Sequence, residues 1–121
     1  MSERKATGDH AETIACRFLQ QRGLVLITRN FRCRRGEIDL IMRDDDSLVF
    51  VEVRYRQKNH FGHAAETVSK TKQGRIIHCA RVYLGRADAW NEPARFDVVS
   101  IEGNPENINI EWLRDAFRVD G

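Results

Sequence analysis

The stretch 36-GEIDLIMRDDDSLVFVEVRYR-56 decides how this chain folds. Two apolar runs with the period-two alternation of strands flank 44-DDDS-47, a cluster of turn-forming residues. Val49, Val51 and Val53 fall on one face of the second run, and Phe50, Glu52 and Arg54 on the other. A turn centred between Asp45 and Asp46 sets Asp39 opposite Glu52 and Glu37 opposite Arg54, all four on one face of the hairpin. Carboxylates so opposed have Cβ atoms about 5 Å apart and repel by about 3 kcal/mol at an effective dielectric of ~20. A fold tolerates this in three ways. One acid holds a proton. A cation such as Arg54 neutralises the pair, giving a Glu37–Arg54 and Glu52–Arg54 ladder. Or a divalent ion bridges them. Strand carboxylates are hard oxygen donors suited to Mg²⁺ or Mn²⁺, and the backbone carbonyl of Val53 offers a third ligand.

The flanking sequence reads as helix, strand, hairpin, helix, strand. A helix is predicted over 9–22, with Ala11, Ile14, Ala15, Phe18 and Leu19 forming its apolar stripe and Gly23 its stop. Asp9 suits the N-cap, with Glu12 completing a capping box. Glu12 also borders the apolar stripe, within reach of the sheet, and both readings stay open. A strand follows over 24–28. After the hairpin, 56–68 reads as a polar loop with Gly62, and a helix follows over 69–84 on the stripe Ile76, Ile77, Ala80, Tyr83 and Leu84. Gly74 inside that helix costs about 1 kcal/mol relative to Ala. A strand over 95–102 and a short one over 107–112 complete the chain, with residues 1–7 and 118–121 expected to be mobile. The order α-β-β-β-α-β predicts an α/β fold, a mixed sheet flanked by helices.

The 121 residues suit a single domain, 1–121, and 41% hydrophobic with 31% charged residues describes a globular chain. No apolar run approaches the ~20 residues of a membrane span, so no membrane partner is expected. The N-terminus has no apolar core of a secretory signal. Cys16, Cys33 and Cys79 are scattered and odd in number, which predicts reduced thiols and a cytoplasmic location. The close ligand pairs His60/His63 and His78/Cys79 are poorly disposed for zinc. The net charge of +2 says little, but its distribution says more. Arg22, Arg29, Arg32, Arg34 and Arg35 precede the hairpin with no acid among them, and Lys70, Lys72, Arg75 and Arg81 follow it. A solvated surface accounts for any one of these cations; the pattern as a whole suits phosphate binding. Lys70 and Lys72 oppose the dipole of the second helix's first turn, a conflict that a bound phosphate would relieve and that ordinary exposed lysines would also tolerate. There is no GxSxG, no Cys/His nucleophile arrangement and no phosphate-binding Gly-rich loop.

The residues 36-GEIDLI-41 and 50-FVEVR-54 resemble the PD-(D/E)xK nuclease signature. Together with 8-GDHAETIACRFLQQRG-23, 72-KQGRIIHCARVYL-84, 95-RFDVV-99 and 111-EWLRDAF-117, they make most of the chain resemble the YraN family, which has a restriction-endonuclease-like fold and is similar to Holliday-junction resolvases. The resemblance implies a Mg²⁺-dependent (or Mn²⁺-dependent), structure-selective DNA endonuclease that hydrolyses phosphodiester bonds. Asp39, Glu52 and the Val53 carbonyl would hold the ion, with Glu12 assisting. Arg54 stands at the motif lysine, and Ile38 where a Pro is usual. A guanidinium cannot act as a general base but can orient water or offset charge on a phosphate; Lys72 is a candidate displaced lysine. Arg32, Arg34, Arg35, Lys70 and Lys72 would hold flanking phosphates of DNA, branched DNA included, and the resolvase likeness implies a homodimer. A non-catalytic nucleic-acid-binding module on the same fold is the alternative, and a protein-interaction role is the third.

Overall fold

A computed structural model describes residues 3–56, 68–104 and 106–119. The loop expected around Gly62 and the His60/His63 pair lie outside the described residues. The elements run α1 (Glu3–Gln21), β1 (Val25–Cys33), β2 (Gly36–Asp44), β3 (Ser47–Arg56), α2 (Lys70–Ala87), β4 (Ala94–Asn104) and β5 (Asn107–Phe117). This is the mixed α/β order predicted, with the last strand completing a five-stranded sheet in the order β1-β2-β3-β4-β5. β3 and β4 are parallel and the other neighbours antiparallel. A parallel pair needs a long crossover, and α2 lies within it. No helix of the described residues is long and apolar enough to cross a membrane.

The sheet separates two apolar layers. Ala11, Ala15 and Leu19, one helical turn apart on α1, pack on Leu40, Met42, Val49, Val51, Val99 and Ile101. On the other face, Ile76, Cys79 and Ala80 of α2 pack on Ile38, Ile41, Phe50, Phe96 and Val98. The β3 alternation is as expected, with Val49 and Val51 toward α1 and Phe50 toward α2. The hairpin register also holds. Asp44 pairs with Ser47, Met42 with Val49 and Leu40 with Val51 around a two-residue turn in which Asp45 takes φ 53°.

Four expectations are corrected. Helix α1 begins at Glu3, so Asp9 is inside it and no capping box forms; Glu12 turns toward β1 instead, with Oε1 3.6 Å from Arg29 NH2. β1 runs on past Thr28 to Cys33, because it pairs with β2 as far as Cys33 and Gly36. β5 extends beyond Trp112 to Phe117. Its far end is held by Asp97, whose carboxylate accepts from Trp112 Nε1 at 2.9 Å and from the Asp115 backbone N–H at 2.9 Å. Finally, the cysteines are not all reduced: Cys33 and Cys79 form a disulfide, while Cys16 is free and buried. Cys33 on β1 and Cys79 on the buried face of α2 have Cα atoms 5.6 Å apart, the spacing such a bond requires. Their separation of 46 residues hides the pair from a reading of local sequence.

Helix α2 forms as its sequence demands. The Ser69 side chain accepts from Lys72 N at 3.1 Å, satisfying one of the first-turn donors. At the other end Asp88 closes the helix in the left-handed conformation, φ 52°. The helix passes through Gly74 without a break.

Candidate functional site

The β2–β3 ladder stops at Leu40 and Val51. One residue further, where Asp39 and Glu52 would face each other, the strands are joined by a side chain. Asp39 Oδ2 accepts from Val53 N at 2.8 Å. On β2 the alternation breaks here, since Ile38 packs in the α2 layer and Leu40 in the α1 layer. The facing residue of β1 is also irregular. Arg29 pairs with Leu40 and Phe31 with Ile38, leaving Asn30, at φ 54°, across from Asp39. Asp39 thus enters the gap between strands rather than standing on a face, which an alternation rule cannot foresee.

Asp39 and Glu52 are 8% and 4% exposed, so neither charge is well solvated. Burial, then the Glu52 charge, pushes the Asp39 carboxyl up to about 9; the Val53 N–H opposes this. Asp39 therefore holds a proton at neutral pH and shares a hydrogen bond with Glu52. Glu52 is in turn held by Lys72, whose Nζ lies 2.6 Å from Oε2, while Arg54 NH1 is 4.0 Å away. The nearer cation comes from the first turn of α2, and the strand arginine is second. Of the three resolutions open to the pair, burial favours a proton on Asp39 and a lysine stands beside Glu52.

A cleft of about 250 Å³ opens onto this pair. Glu37, Asp39 and Glu52 line it with Arg35, Lys72 and Arg75, and Gly36 and Ile76 complete its wall. A Cβ on Gly36 would stand 3.4 Å from Arg75 Cβ, so α2 packs against the β1–β2 turn at van der Waals distance. A larger cleft, about 430 Å³, lies beside Arg95, Asp115 and Phe117, but its charges are already matched: Arg95 with Asp97 and Asp44, and Asp115 with Arg118.

The remaining predicted residues divide clearly. Arg35 lines the cleft, and Arg34 is exposed at the β1–β2 turn. Arg32 pairs with Glu37 at 3.4 Å, which replaces the Glu37–Arg54 contact expected from the hairpin alone. Lys70 is exposed at the start of α2. Glu12 does not line the cleft. It sits on the α1 side, where burial raises its pKa while Arg29 and a hydrogen bond from Asn30 lower it. Its Oε1 is buried and lacks a hydrogen-bond partner among the described residues. Arg75 was not singled out as a site residue, although its position three residues after Lys72 on one helix was the available signal. Asn30 carried no signal.

The donor set was tested against a hard divalent ion. Among the described residues no group of three or more His, Cys, Asp or Glu side chains is disposed around one ion. Mg²⁺, however, is commonly held by one or two carboxylates with waters and substrate phosphates completing the shell. Two adjoining buried carboxylates, one of them protonated because it is buried and because the other is near, meet that requirement. The N–H and C=O of a strand residue leave on the same side, so the Val53 carbonyl faces the same gap as the N–H that Asp39 accepts.

The model of the uncharacterised protein family UPF0102 matches residues 11–101. A UPF0102 protein of Nitrosococcus oceani is 55% identical over 114 residues, covering 93% of this chain and 92% of that protein. One of Nitrosomonas europaea is 52% identical over 117 residues, covering 97% and 98%, and one of Pseudomonas syringae pv. syringae is 48% identical over 118 residues, covering 96% of each. With its hairpin, helices and sheet placed as that family's motifs led one to expect, the chain belongs to UPF0102, the YraN family.

Proposed function

We propose that the protein is a Mg²⁺- or Mn²⁺-dependent endonuclease that hydrolyses DNA phosphodiester bonds, with branched DNA as its preferred substrate. The observation that carries this reading is the buried Asp39–Glu52 pair at the floor of a cleft rimmed by Arg35, Lys72 and Arg75. Asp39, Glu52 and the Val53 carbonyl would hold the ion, which when bound supplies a Lewis acid for a phosphoryl oxygen and activates water. To receive it, Asp39 gives up its proton, and Lys72 gives up part of its contact with Glu52. Lys72 then stands beside the reacting phosphate as the lysine displaced from the strand motif. It orients the attacking water and offsets negative charge as that charge grows. Arg54, 4.0 Å from Glu52, supports the carboxylate's position. Glu12 is a candidate assistant from the α1 side. Arg32, Arg34, Arg35 and Lys70 hold flanking phosphates, contacts that position DNA without reading its sequence. A homodimer belongs to the same reading through the resolvase likeness; a two-fold pair would match the two cuts of a branched junction.

The decisive assay incubates labelled four-way-junction and linear duplex DNA with the protein in Mg²⁺ or Mn²⁺. Cleavage of the junction by the wild type, reduced at least about a hundredfold by Asp39→Ala and by Lys72→Met, is the expected result. The 2.6 Å Lys72–Glu52 contact also favours a second reading, a nucleic-acid-binding module, because it neutralises the acid with no ion at all. Junction binding by wild type and Asp39→Ala alike, with no cleavage by either, would select that module.

A further inference from the structure

Helix α2, KTKQGRIIHCARVYLGRA, carries Lys70, Lys72, Arg75, Arg81 and Arg86 and no acidic residue. Lys72 turns in to Glu52, and Arg86 lies over the Phe31 ring. Lys70, Arg75 and Arg81 are exposed and form no ion pair among the described residues. At about 100° per residue, Lys70, Gly74 and Arg81 fall within about 40° of one another, on a strip facing away from buried Ile76, Cys79 and Ala80. Arg75, about 100° round the helix from Gly74 on the side toward Cys79, lines the cleft instead.

Gly74 is the odd member. Glycine weakens a helix interior relative to alanine, and no described residue lies within 4 Å of where its Cβ would stand. Gly36, in contrast, has Arg75 Cβ at 3.4 Å from where its own Cβ would stand. Nothing described within the chain asks for glycine at 74, while the strip on either side of it is cationic and forms no ion pair among the described residues. A bare backbone between two cations suits a phosphodiester backbone lying directly on the helix.

We propose that the outer strip of α2, Lys70–Gly74–Arg81, is a DNA docking surface on which one phosphodiester strand lies against the helix at Gly74. It rests on the nucleic-acid reading above and extends it from the cleft along three turns of α2. The partner is duplex DNA, held through its backbone charge; duplex RNA is an outcome of the test, measured in a separate arm.

The test measures fluorescence anisotropy of labelled duplex DNA, four-way-junction DNA and duplex RNA with the full chain in EDTA, across a salt series, together with the melting temperature of each variant. Gly74→Ala is expected to raise Tm by about 4 °C yet weaken binding about fivefold or more. Arg81→Gln is expected to weaken binding about threefold or more, leave Tm unchanged and lower the salt slope by about one. A stabilised Gly74→Ala that binds as tightly as the wild type would overturn the proposal. So would a lowered Tm, which would place part of this chain over Gly74, and so would wild-type binding only to anionic phospholipid vesicles. The two readings separate cleanly. Weakened binding by both variants without Mn²⁺-dependent cleavage by the wild type keeps the surface and removes the nuclease. Wild-type cleavage with unaltered binding by both variants keeps the nuclease and removes the surface.

Discussion

Two aspartates of one sheet, on the strands either side of β3, are buried to nearly the same degree, Asp97 at 0% and Asp39 at 8% exposure, yet they live in opposite circumstances. Asp97 receives Arg95 Nε on both oxygens at 3.0 and 3.2 Å, Trp112 Nε1 at 2.9 Å and the Asp115 N–H at 2.9 Å. Arg95 continues to Asp44 at 2.9 Å, so one carboxylate ties the hairpin turn, β4 and the end of β5 together. Asp39 receives the Val53 N–H at 2.8 Å and then faces another carboxylate. A buried acid supplied with donors works as a structural clasp. One left short of donors beside its like is a cost to folding, which a ligand can repay.

That contrast can be broken by mutation. Asp97→Ala leaves half-buried Arg95 with Asp44 alone and strands the Trp112 and Asp115 donors, and should destabilise the fold by about 4 kcal/mol. Urea unfolding measures this; a loss under about 1 kcal/mol would mean the clasp is ornamental. Reduction of the Cys33–Cys79 bridge should cost about 4 kcal/mol, because it frees a 46-residue separation in the unfolded chain. Unfolding with and without a reductant, alongside thiol titration, tests it, and an unchanged midpoint after complete reduction would contradict it.

Asp39→Asn should act in the opposite direction, raising stability in EDTA at pH 7 by on the order of 2 kcal/mol. The pH dependence carries the same sign. The Asp39 carboxyl moves from an ordinary 3.8 to about 9 on folding, so across that window the folded protein keeps a proton the unfolded chain has released. Raising the pH through it therefore destabilises the fold, by no more than about 1.4 kcal/mol per unit. The groups facing Asp39 are Glu52 on β3, which raises its pKa, the Val53 N–H, which lowers it, and more distant Glu12 on α1, with Lys72 of α2 acting through Glu52. Metal-free melts from pH 5 to 8.5 should fall more steeply for the wild type than for Asp39→Asn. Parallel curves would show that Asp39 is an ordinary carboxylate.

The same contrast explains what the sequence could and could not reveal. The hairpin register was legible because it is local: 44-DDDS-47 fixes a short turn, and alternation carries the pairing back to Leu40 and Val51. That was enough to bring Asp39 and Glu52 together. The turning of Asp39 into the gap was not legible, because it depends on Asn30 across the neighbouring strand. The dominance of Lys72 over Arg54 was only half visible, since it depends on how α2 packs over Gly36. The Asp97 clasp and the Cys33–Cys79 bridge join residues far apart in sequence, which no local pattern encodes. The capping box at Asp9 failed for a simpler reason: the preceding residues continue the helix back to Glu3.

The most direct measurement is isothermal calorimetry of Mg²⁺ and Mn²⁺ binding at pH 7.5 in buffers of differing ionisation enthalpy. The account predicts saturable binding to the wild type with release of a proton from Asp39, and no binding to Asp39→Asn. A folded wild type that takes up neither ion, or an Asp39→Asn protein that binds as the wild type does, would contradict it.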